Sequence, residues 1–264
     1  MLTLLSPAKK LNMEPVDLSL PVTQPELLEQ TKILMQTVRR LSAQDLKSLM
    51  KLSDKLAELN YERFQSFRTD GRANSAKPAA FAFNGNVYEG LDAPGMSTDA
   101  LAFAQEHLRI LSGLYGVLRP LDLIQPYRLE MGTRLETERG HNLYQFWGRI
   151  IADKLREQMA GHKDKTVVNL ASNEYVKAVD RKALDAPMIE ARFLNIKDGQ
   201  ARNLMYYAKK ARGQMARWIM DNQIDTHTDL RGFNIENYAF DKSASLEDLL
   251  VFTRQQPAPK AKAA

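Results

Sequence analysis

The chain has 264 residues, of which 44% are hydrophobic and 26% are charged, a composition typical of a globular domain with a sizeable core. It contains no cysteine, which excludes thiol peroxidase chemistry, cysteine-held iron–sulfur clusters and disulfide-linked partners. The formal net charge of +5 is mildly basic. No apolar run approaches the roughly 18 residues of a membrane span, and the N-terminal segment lacks a signal-peptide core. We therefore expect a cytoplasmic protein that does not bind membranes.

In the first half of the chain, an apolar strand is followed by several helices. This strand ends at the loop over 6–9, and Ser53 is a candidate N-cap for the third helix. The turn signal Asn84-Gly85 interrupts a second strand. In chain order, the predicted elements are a strand over 1–5, helices over 25–41, 43–51 and 53–67, a strand over 81–87 and a helix over 98–111.

In the second half, strands alternate with helices, which is the pattern of an α/β domain. The dipeptide Asp198-Gly199 marks the turn of a predicted hairpin. The predicted elements are a helix over 143–159, a strand over 166–171, a helix that begins near Ser172, hairpin strands over 190–196 and 201–207, and a helix over 208–222. We predict a single mixed α/β domain over 1–253, with a sheet flanked by helices, and a disordered basic tail over 254–264.

The stretch from 107 to 132, HLRILSGLYGVLRPLDLIQPYRLEMG, combines guanidinium groups with residues that break helices. Its arginines, tyrosines and breakers are Arg109, Arg119, Arg128, Tyr115, Tyr127, Gly113, Gly116, Pro120 and Pro126. Inside a helix, Gly costs about 1 kcal/mol and Pro about 3 kcal/mol relative to Ala. The stretch therefore predicts a backbone shaped around an anionic partner. Its segment LSGLYGV is similar to a helix-hairpin-helix module, although Pro120 lies where the second helix needs a backbone N–H.

Two further segments carry positive charge. Between Arg192 and Arg217 there are seven basic residues and one acidic residue, which favours a phosphate-rich partner or, alternatively, a solvated helix face. Gly213, which lies in the predicted helix of this segment, would either let a ligand approach the backbone closely or have no role beyond being tolerated in the helix. The turn around Ser53, flanked by Lys55, would either hold a phosphate at a helix start or pack two helices together.

The four histidines, His107, His141, His162 and His227, match no two-histidine metal spacing. Glu106 and His107 are adjacent, so on a helix they point in different directions, unlike the Glu-x-x-His pairs of di-iron proteins. We therefore expect no metal site and no bound cofactor.

Several blocks together carry a family resemblance that extends to about Phe252. They are LLSPAK (4–9), LMKLSDKLAELN (49–60), FNGNVYEGL (83–91), the stretch over 107–132, LYQFW (143–147), NLASNEYVK (169–177) and YAKKARGQMARWI (207–219). With these blocks the chain resembles the YaaA family of peroxide-stress proteins. The resemblance implies a cytoplasmic bacterial protein that limits hydrogen peroxide damage, lowers free intracellular iron and binds DNA through a positively charged cleft. It also implies a single α/β domain with a helix-hairpin-helix-like element.

The first functional hypothesis is a DNA-binding protein, rather than an enzyme, that contacts phosphates with little regard to base sequence. The residues assigned to phosphate contact are Lys9, Lys55, Arg109, Arg119, Arg128, Lys209, Lys210 and Arg212. The hairpin between Gly113 and Gly116 would contact the DNA backbone, and Tyr115 or Tyr127 would stack on exposed bases.

The alternative hypothesis is an enzyme that acts on a nucleotide or another phosphate-bearing small molecule. The residues that follow predicted strands, where α/β proteins often form pockets, are Ser6, Lys9, Ser172, Glu174 and Tyr175. Glu130, between Arg128 and Arg134, would then be a positioned acid or base, or else form a structural salt bridge.

Overall fold

A computed structural model describes residues 1–70 and 75–257. Its strands are β1 (Leu2–Leu5), β2 (Lys10–Leu11), β3 (Lys77–Pro78), β4 (Phe83–Asn84), β5 (Leu108–Ser112), β6 (Gly116–Leu118), β7 (Leu123–Ile124), β8 (Val167–Asn169), β9 (Met188–Lys197), β10 (Gln200–Arg202), β11 (Ala239–Phe240) and β12 (Leu249–Gln255). Its α-helices are α1 (Leu28–Val38), α2 (Ala43–Met50), α3 (Asp54–Ser66), α4 (Ala79–Ala82), α5 (Asn86–Leu91), α6 (Thr98–His107), α7 (Leu143–Trp147), α8 (Ile150–Gln158), α9 (Asn173–Val176), α10 (Arg181–Leu184) and α11 (Met205–Asp221).

The main sheet has the strand order β11-β12-β9-β8-β1-β5-β6, and β10 pairs with β9. The inner strands from β12 to β5 run parallel, whereas β6, β10 and β11 pair antiparallel with their neighbours. Every residue of β1, β5 and β8 is buried, as expected for parallel strands covered on both faces. The predicted mixed α/β sheet flanked by helices is therefore confirmed.

The chain reverses its direction of winding at β1. From β1 it moves to β5 on one side, and it later returns to add β8, β9 and β12 on the other side. In open α/β sheets, ligands bind at such a reversal, outside the carboxyl ends of the strands. The loops after β1 and β8 leave the sheet side by side at this edge, because the two strands pair in parallel with Leu4 opposite Asn169.

Most of the predicted helices are confirmed, and β9 and β10 form the predicted hairpin. The predicted strand over 201–207 is too long, since β10 ends at Arg202 and α11 already begins at Met205. The predicted helix over 143–159 is two helices, α7 and α8, because Gly148 between them adopts a left-handed φ of 45°. The predicted strand over 81–87 is wrong, since its residues divide among α4, β4 and α5. Gly85 is the cause, because this extended residue both ends β4 and caps α5.

The segment LSGLYGV forms a β-hairpin, so its similarity to a helix-hairpin-helix module is wrong for this segment, and the element implied by the resemblance is not confirmed. Helix α6 ends at His107, and Leu108 begins β5, which pairs with β1 on one side and with β6 on the other. The same pairing corrects the predicted extension of that helix to residue 111. A short apolar run suits a buried strand as well as a buried helix, so its periodicity alone does not separate the two structures.

Helices α5 and α11 cross in close contact through two glycines. A Cβ atom on Gly213 would overlap the carbonyl oxygen of Val87, and a Cβ atom on Gly90 would overlap that of Lys210. Gly213 therefore permits helix packing and does not face a ligand. This close crossing sets α11 beside the loops at the carboxyl edge of the sheet.

Strand β12 includes Arg254 and Gln255, so it extends beyond the predicted domain boundary at residue 253. Arg254 is buried, donates a hydrogen bond to Asn195 Oδ1 over 2.9 Å and pairs with Glu236 over 2.7 Å, which makes it part of the fold. The rest of the predicted tail, from residue 258 onward, lies outside the described residues.

Within the ranges that the structure describes, no helix is both long enough and apolar enough to span a bilayer.

Candidate binding pocket

A cavity of about 470 Å³ opens at the carboxyl ends of β1 and β8. It is lined by the loop after β1, the residues that join β4 to α5, the extended chain over 127–130, the residues that follow β8, and Lys209 and Arg212 of α11. Its volume lies within the range of roughly 300–1,000 Å³ that small-molecule pockets occupy. The cavity thus has the position and the size of a ligand pocket in an α/β protein.

Hydrogen bonds join the two strand-end loops at the base of the pocket. The backbone N–H of Ser172 donates to Ser6 Oγ over 2.8 Å, and Ser6 Oγ donates to Ser172 Oγ over 3.3 Å. The hydroxyl of Tyr88 donates to the carbonyl oxygen of Ser6 over 3.0 Å. The serine hydroxyls therefore bind each other and fix the two loops in place.

Three tyrosines, Tyr88, Tyr127 and Tyr175, form the buried part of the pocket lining. Burial raises the pKa of each phenol above its ordinary value, so all three are neutral at physiological pH. The hydroxyl of Tyr127 is within 2.6 Å of Ser112 Oγ, which holds its ring in the core. These rings supply an apolar wall rather than charged groups.

Cationic side chains outnumber carboxylates on the pocket lining. The cations are Lys9, Lys10, Arg128, Lys209 and Arg212, and the carboxylates are Glu89, Glu130 and Glu174. Glu130 is neutralised locally, because its Oε1 lies 2.6 Å from Lys9 Nζ and 3.4 Å from a terminal nitrogen of Arg128. The structural salt bridge expected as one alternative for Glu130 is therefore present, with Lys9 as its nearer partner.

Two guanidinium groups on the pocket have unused donors. Within residues 1–70 and 75–257, the Arg212 side chain has no hydrogen-bond or ion-pair partner, although it is partly buried. Burial lowers the pKa of Arg212, and the carboxylate of Glu190 acts in the opposite direction. The Nε atom of Arg128 is buried and is also without a partner. Because this atom is closed to solvent, it is not available to a ligand in the open pocket. The nitrogens of Arg212 do reach solvent, so they can exchange water for the oxygens of an anion.

Glu174 is held by the backbone at the rim of the pocket. Its Oε1 accepts a hydrogen bond from the N–H of Gly132 over 2.9 Å. The hydroxyl of Tyr144 donates to the carbonyl oxygen of Glu174 over 2.9 Å, which fixes the main chain at this point. No cation pairs with this carboxylate in the part of the chain that the structure describes.

The structure brings five of the residues predicted to contact DNA to this pocket, namely Lys9, Tyr127, Arg128, Lys209 and Arg212. Arg109, by contrast, is buried at 3% exposure and donates to Gln158 Oε1 and to the carbonyl oxygens of Gln105 and Leu108. Burial lowers the pKa of Arg109 to about 10. Its guanidinium stabilises the interior and has no surface for an external phosphate.

The predicted contacts in the hairpin also lie in the core. Tyr115 is buried beside Tyr127, and its hydroxyl accepts a hydrogen bond from the N–H of Gln125 over 3.0 Å. Gly113 packs against the carbonyl of Leu129, and Gly116, at a φ of 71°, packs against the ring of Trp147. Burial therefore removes Tyr115, Gly113 and Gly116 from contact with solvent.

The remaining predicted cations lie outside the pocket. Arg119 forms ion pairs with Asp122 over 2.8 Å and Glu26 over 3.0 Å. Lys210 pairs with Glu236 over 2.5 Å. Lys55 is exposed near the start of α3, where Asp54 pairs with Lys47, as expected for a packing turn between two helices.

The residues of the alternative hypothesis are, in contrast, gathered in one place. Those that line the pocket are Ser6, Lys9, Glu130, Ser172, Glu174 and Tyr175, whereas Arg134 does not. These residues were predicted from the rule that ligands of α/β proteins bind at the carboxyl ends of the strands. The sequence did not identify Lys10, Tyr88 and Glu89 as pocket residues. The turn signal at Asn84-Gly85, which lies beside the cavity, could have pointed to them.

No group of three or more metal-ligating side chains occurs among the described residues.

The sheet and its pocket define an α/β protein with a cation-lined, ligand-sized cavity at the carboxyl edge of parallel strands. The sequence model of the family described as "Peroxide stress protein YaaA" matches residues 1–244. The chain is 53% identical over 264 residues to a UPF0246 protein of Maricaulis maris, with 100% of each chain covered. It is 52% identical over 261 residues to a UPF0246 protein of Phenylobacterium zucineum, covering 99% of this chain and 97% of that protein. The chain belongs to the YaaA family of peroxide stress proteins.

Proposed function

We propose that this protein serves the peroxide stress response in the cytoplasm by binding a phosphate-bearing small molecule, of the nucleotide class, in the pocket. The observation that carries the proposal is Arg212, a partly buried guanidinium on the pocket wall that has no hydrogen-bond or ion-pair partner among the described residues. Guanidinium groups bind phosphate oxygens in pairs of hydrogen bonds, so a phosphate would use the donors that the fold leaves free. Lys209 and the terminal nitrogens of Arg128, which also line the pocket, would add further donors.

The carboxylates on the lining favour a small ligand over a polyanion. Glu89 and Glu174 have no cationic partner among the described residues, so a DNA backbone laid across the opening would meet two negative charges. A small molecule places its phosphate at one part of the wall and presents other groups to the carboxylates. The serine loops and the tyrosine wall are already fixed, which reduces the entropy lost on binding.

The proposal is tested by titrating adenosine 5′-monophosphate into the protein and into two variants, Arg212→Ala and Lys55→Ala, by calorimetry. We expect measurable binding to the parent, about tenfold to hundredfold weaker binding to Arg212→Ala because charge-assisted hydrogen bonds are lost, and parental binding to Lys55→Ala. Lys55 is the matched control, since it is an exposed cation outside the pocket. Equal affinities in all three proteins, or no binding of any nucleotide to the parent, would contradict the proposal. Product analysis of the same samples measures whether the bound nucleotide is converted.

DNA binding is the second candidate, and one surface feature favours it. Tyr206 is 53% exposed and Met205 is 71% exposed at the start of α11, close in sequence to Lys209 on the pocket rim. An exposed aromatic ring beside cations is typical of surfaces that stack single-stranded bases. Backbone contacts to DNA would then be made from the rim by Lys9, Lys10 and Lys209.

Fluorescence anisotropy with labelled single-stranded and duplex oligonucleotides tests this candidate at two salt concentrations. DNA binding at this surface predicts an affinity that falls steeply with salt and falls further in Lys209→Glu and Tyr206→Ala. If binding is absent, or if neither variant changes it, the candidate fails. Peroxide sensitivity and free iron in cells that carry Arg212→Ala in place of the parent protein measure whether the pocket serves the stress response and the iron effect that the resemblance implies.

A further inference from the structure

We infer that the ligand of this pocket carries a free hydroxyl group beside its phosphate-bearing carbon chain or ring, and that Glu174 accepts a hydrogen bond from it. The ligand is then a ribonucleotide or a sugar phosphate that keeps its hydroxyl groups. The corresponding 2-deoxy compounds bind more weakly. The inference rests on the proposed function, since it concerns the same pocket.

Glu174 is positioned for recognition by contacts that leave one carboxylate oxygen free. The N–H of Gly132 binds Oε1 over 2.9 Å, and no side chain of the described residues donates to Oε2. The absence of a side chain at Gly132 permits this approach, because a Cβ atom there would lie 3.1 Å from Oε1. The hydroxyl of Tyr144 fixes the backbone of the same residue. The carboxylate is therefore held in place with accepting capacity unused.

The chemistry of a carboxylate determines what it can bind here. An ionised carboxylate only accepts hydrogen bonds, so it repels the phosphate of a ligand and attracts its hydroxyl groups. The hydroxyl hydrogen of Ser6 is donated to Ser172 Oγ, so Ser6 does not donate to this carboxylate. In dinucleotide-binding α/β folds, a carboxylate near the carboxyl edge of the sheet binds ribose hydroxyls in this manner.

The other two carboxylates of the pocket differ from Glu174 in their contacts. Glu130 is engaged by Lys9 over 2.6 Å and by Arg128 over 3.4 Å, so its oxygens already receive cationic donors. Glu89 lines the pocket and is exposed, as Glu174 is, but no hydrogen bond to the Glu89 carboxylate occurs within the described residues. Glu89 thus carries the same charge as Glu174 without the backbone contact that holds it, which makes it a matched control.

The experiment compares ribose 5-phosphate with 2-deoxyribose 5-phosphate, and adenosine 5′-monophosphate with its 2′-deoxy form, by calorimetric titration. The proteins are the parent, Glu174→Gln and Glu89→Gln. Glutamine at 174 keeps an oxygen for the N–H of Gly132 but replaces the second oxygen by an N–H₂ donor. Thermal unfolding midpoints of the variants, which we expect to match the parent, show that the fold is retained.

We expect the parent to bind each hydroxylated ligand about tenfold more tightly than its 2-deoxy counterpart, which is the effect of one hydrogen bond to a charged group. Glu174→Gln should reduce this ratio to near one, and Glu89→Gln should leave it at the parental value. Equal binding of the paired ligands by the parent overturns the inference while the proposed function stands. A ratio that survives in Glu174→Gln also overturns it, since the hydroxyl is then recognised elsewhere. Absence of all binding refutes the proposed function itself.

Discussion

The β5–β6 hairpin and the pocket each contain arginines, but the two regions use them differently. In the hairpin, Arg109 is enclosed by the core and donates to one side chain and two backbone carbonyls. On the pocket wall, Arg212 has no hydrogen-bond or ion-pair partner among the described residues, and the carboxylate of Glu190 acts on it only at longer range. The hairpin is the more conspicuous region in the sequence, because its arginines cluster with glycines and prolines. The comparison supports the proposal that the free donors of a guanidinium, rather than its neighbours along the chain, indicate where an anion binds.

The largest expected effect comes from removing Arg109. Arg109→Ala removes the donor of a buried carbonyl, a partly buried carbonyl and Gln158 Oε1 and creates a cavity, so the free energy of unfolding should fall by about 3–5 kcal/mol. Arg212→Ala, at a site without such contacts, should change it by less than about 1 kcal/mol. Urea denaturation of both variants measures the contrast. Similar losses in the two proteins would remove the distinction between a structural and a binding arginine.

The next effect concerns the helix that carries Arg212. Gly213→Ala places a Cβ atom against the carbonyl of Val87, which forces α11 away from α5 and should cost about 2–4 kcal/mol of stability. Gly161→Ala is the control, since a Cβ atom there meets nothing within 4 Å, and it should change stability by less than about 0.5 kcal/mol. Because α11 also carries Lys209, Gly213→Ala should weaken nucleotide binding. Full stability of Gly213→Ala would mean that the close helix crossing is absent in solution.

A smaller effect on the free energy of unfolding is expected from pH, through a histidine pair at the amino end of β1. His162 stacks on His107 and lies 3.1 Å from the amino group of Met1, and burial lowers the pKa of His162 to about 4 from 6.5. A lowered pKa means that the unfolded chain binds more protons, so this contribution to stability is complete above about pH 6.5 and is lost as the pH falls towards 4. Burial lowers the pKa of His107 and of the Met1 amino group as well, and both act with the same sign.

Chemical denaturation between pH 7 and pH 5 measures this dependence. The denaturation midpoint should fall with pH in the parent, and His162→Gln should flatten the decline. His141→Gln, which changes an exposed histidine that pairs with Glu136, should leave the decline unchanged. A midpoint that rises on acidification would show that these histidines are not buried in neutral form.

The sequence was sufficient for much of the fold and for part of the site. The apolar run of β1, the β-branched β8 and the amphipathic α11 were predicted from residue patterns, and the pocket residues Ser6, Ser172 and Glu174 followed from their positions after strands. Strand β5 was missed, because a short, fully apolar segment has no periodicity that separates a buried strand from a helix.

The pairing of the arginines could not be predicted from the sequence. Gln158 reaches Arg109 from a helix 49 residues away, and Glu26 reaches Arg119 across the fold. Whether a guanidinium is satisfied depends on such distant contacts, which only the assembled structure contains. For the same reason, the sequence does not decide whether Gly213 faces a ligand or is simply tolerated. The crossing of α5 and α11, which places Gly213 beside Val87, decides this.

A crystal structure of the protein with adenosine 5′-monophosphate tests the proposed role of the pocket most directly. We expect the phosphate to lie in the pocket at the carboxyl ends of β1 and β8, with two of its oxygens bound by the guanidinium of Arg212. A nucleotide bound at another surface, with Arg212 still unpartnered, would contradict it.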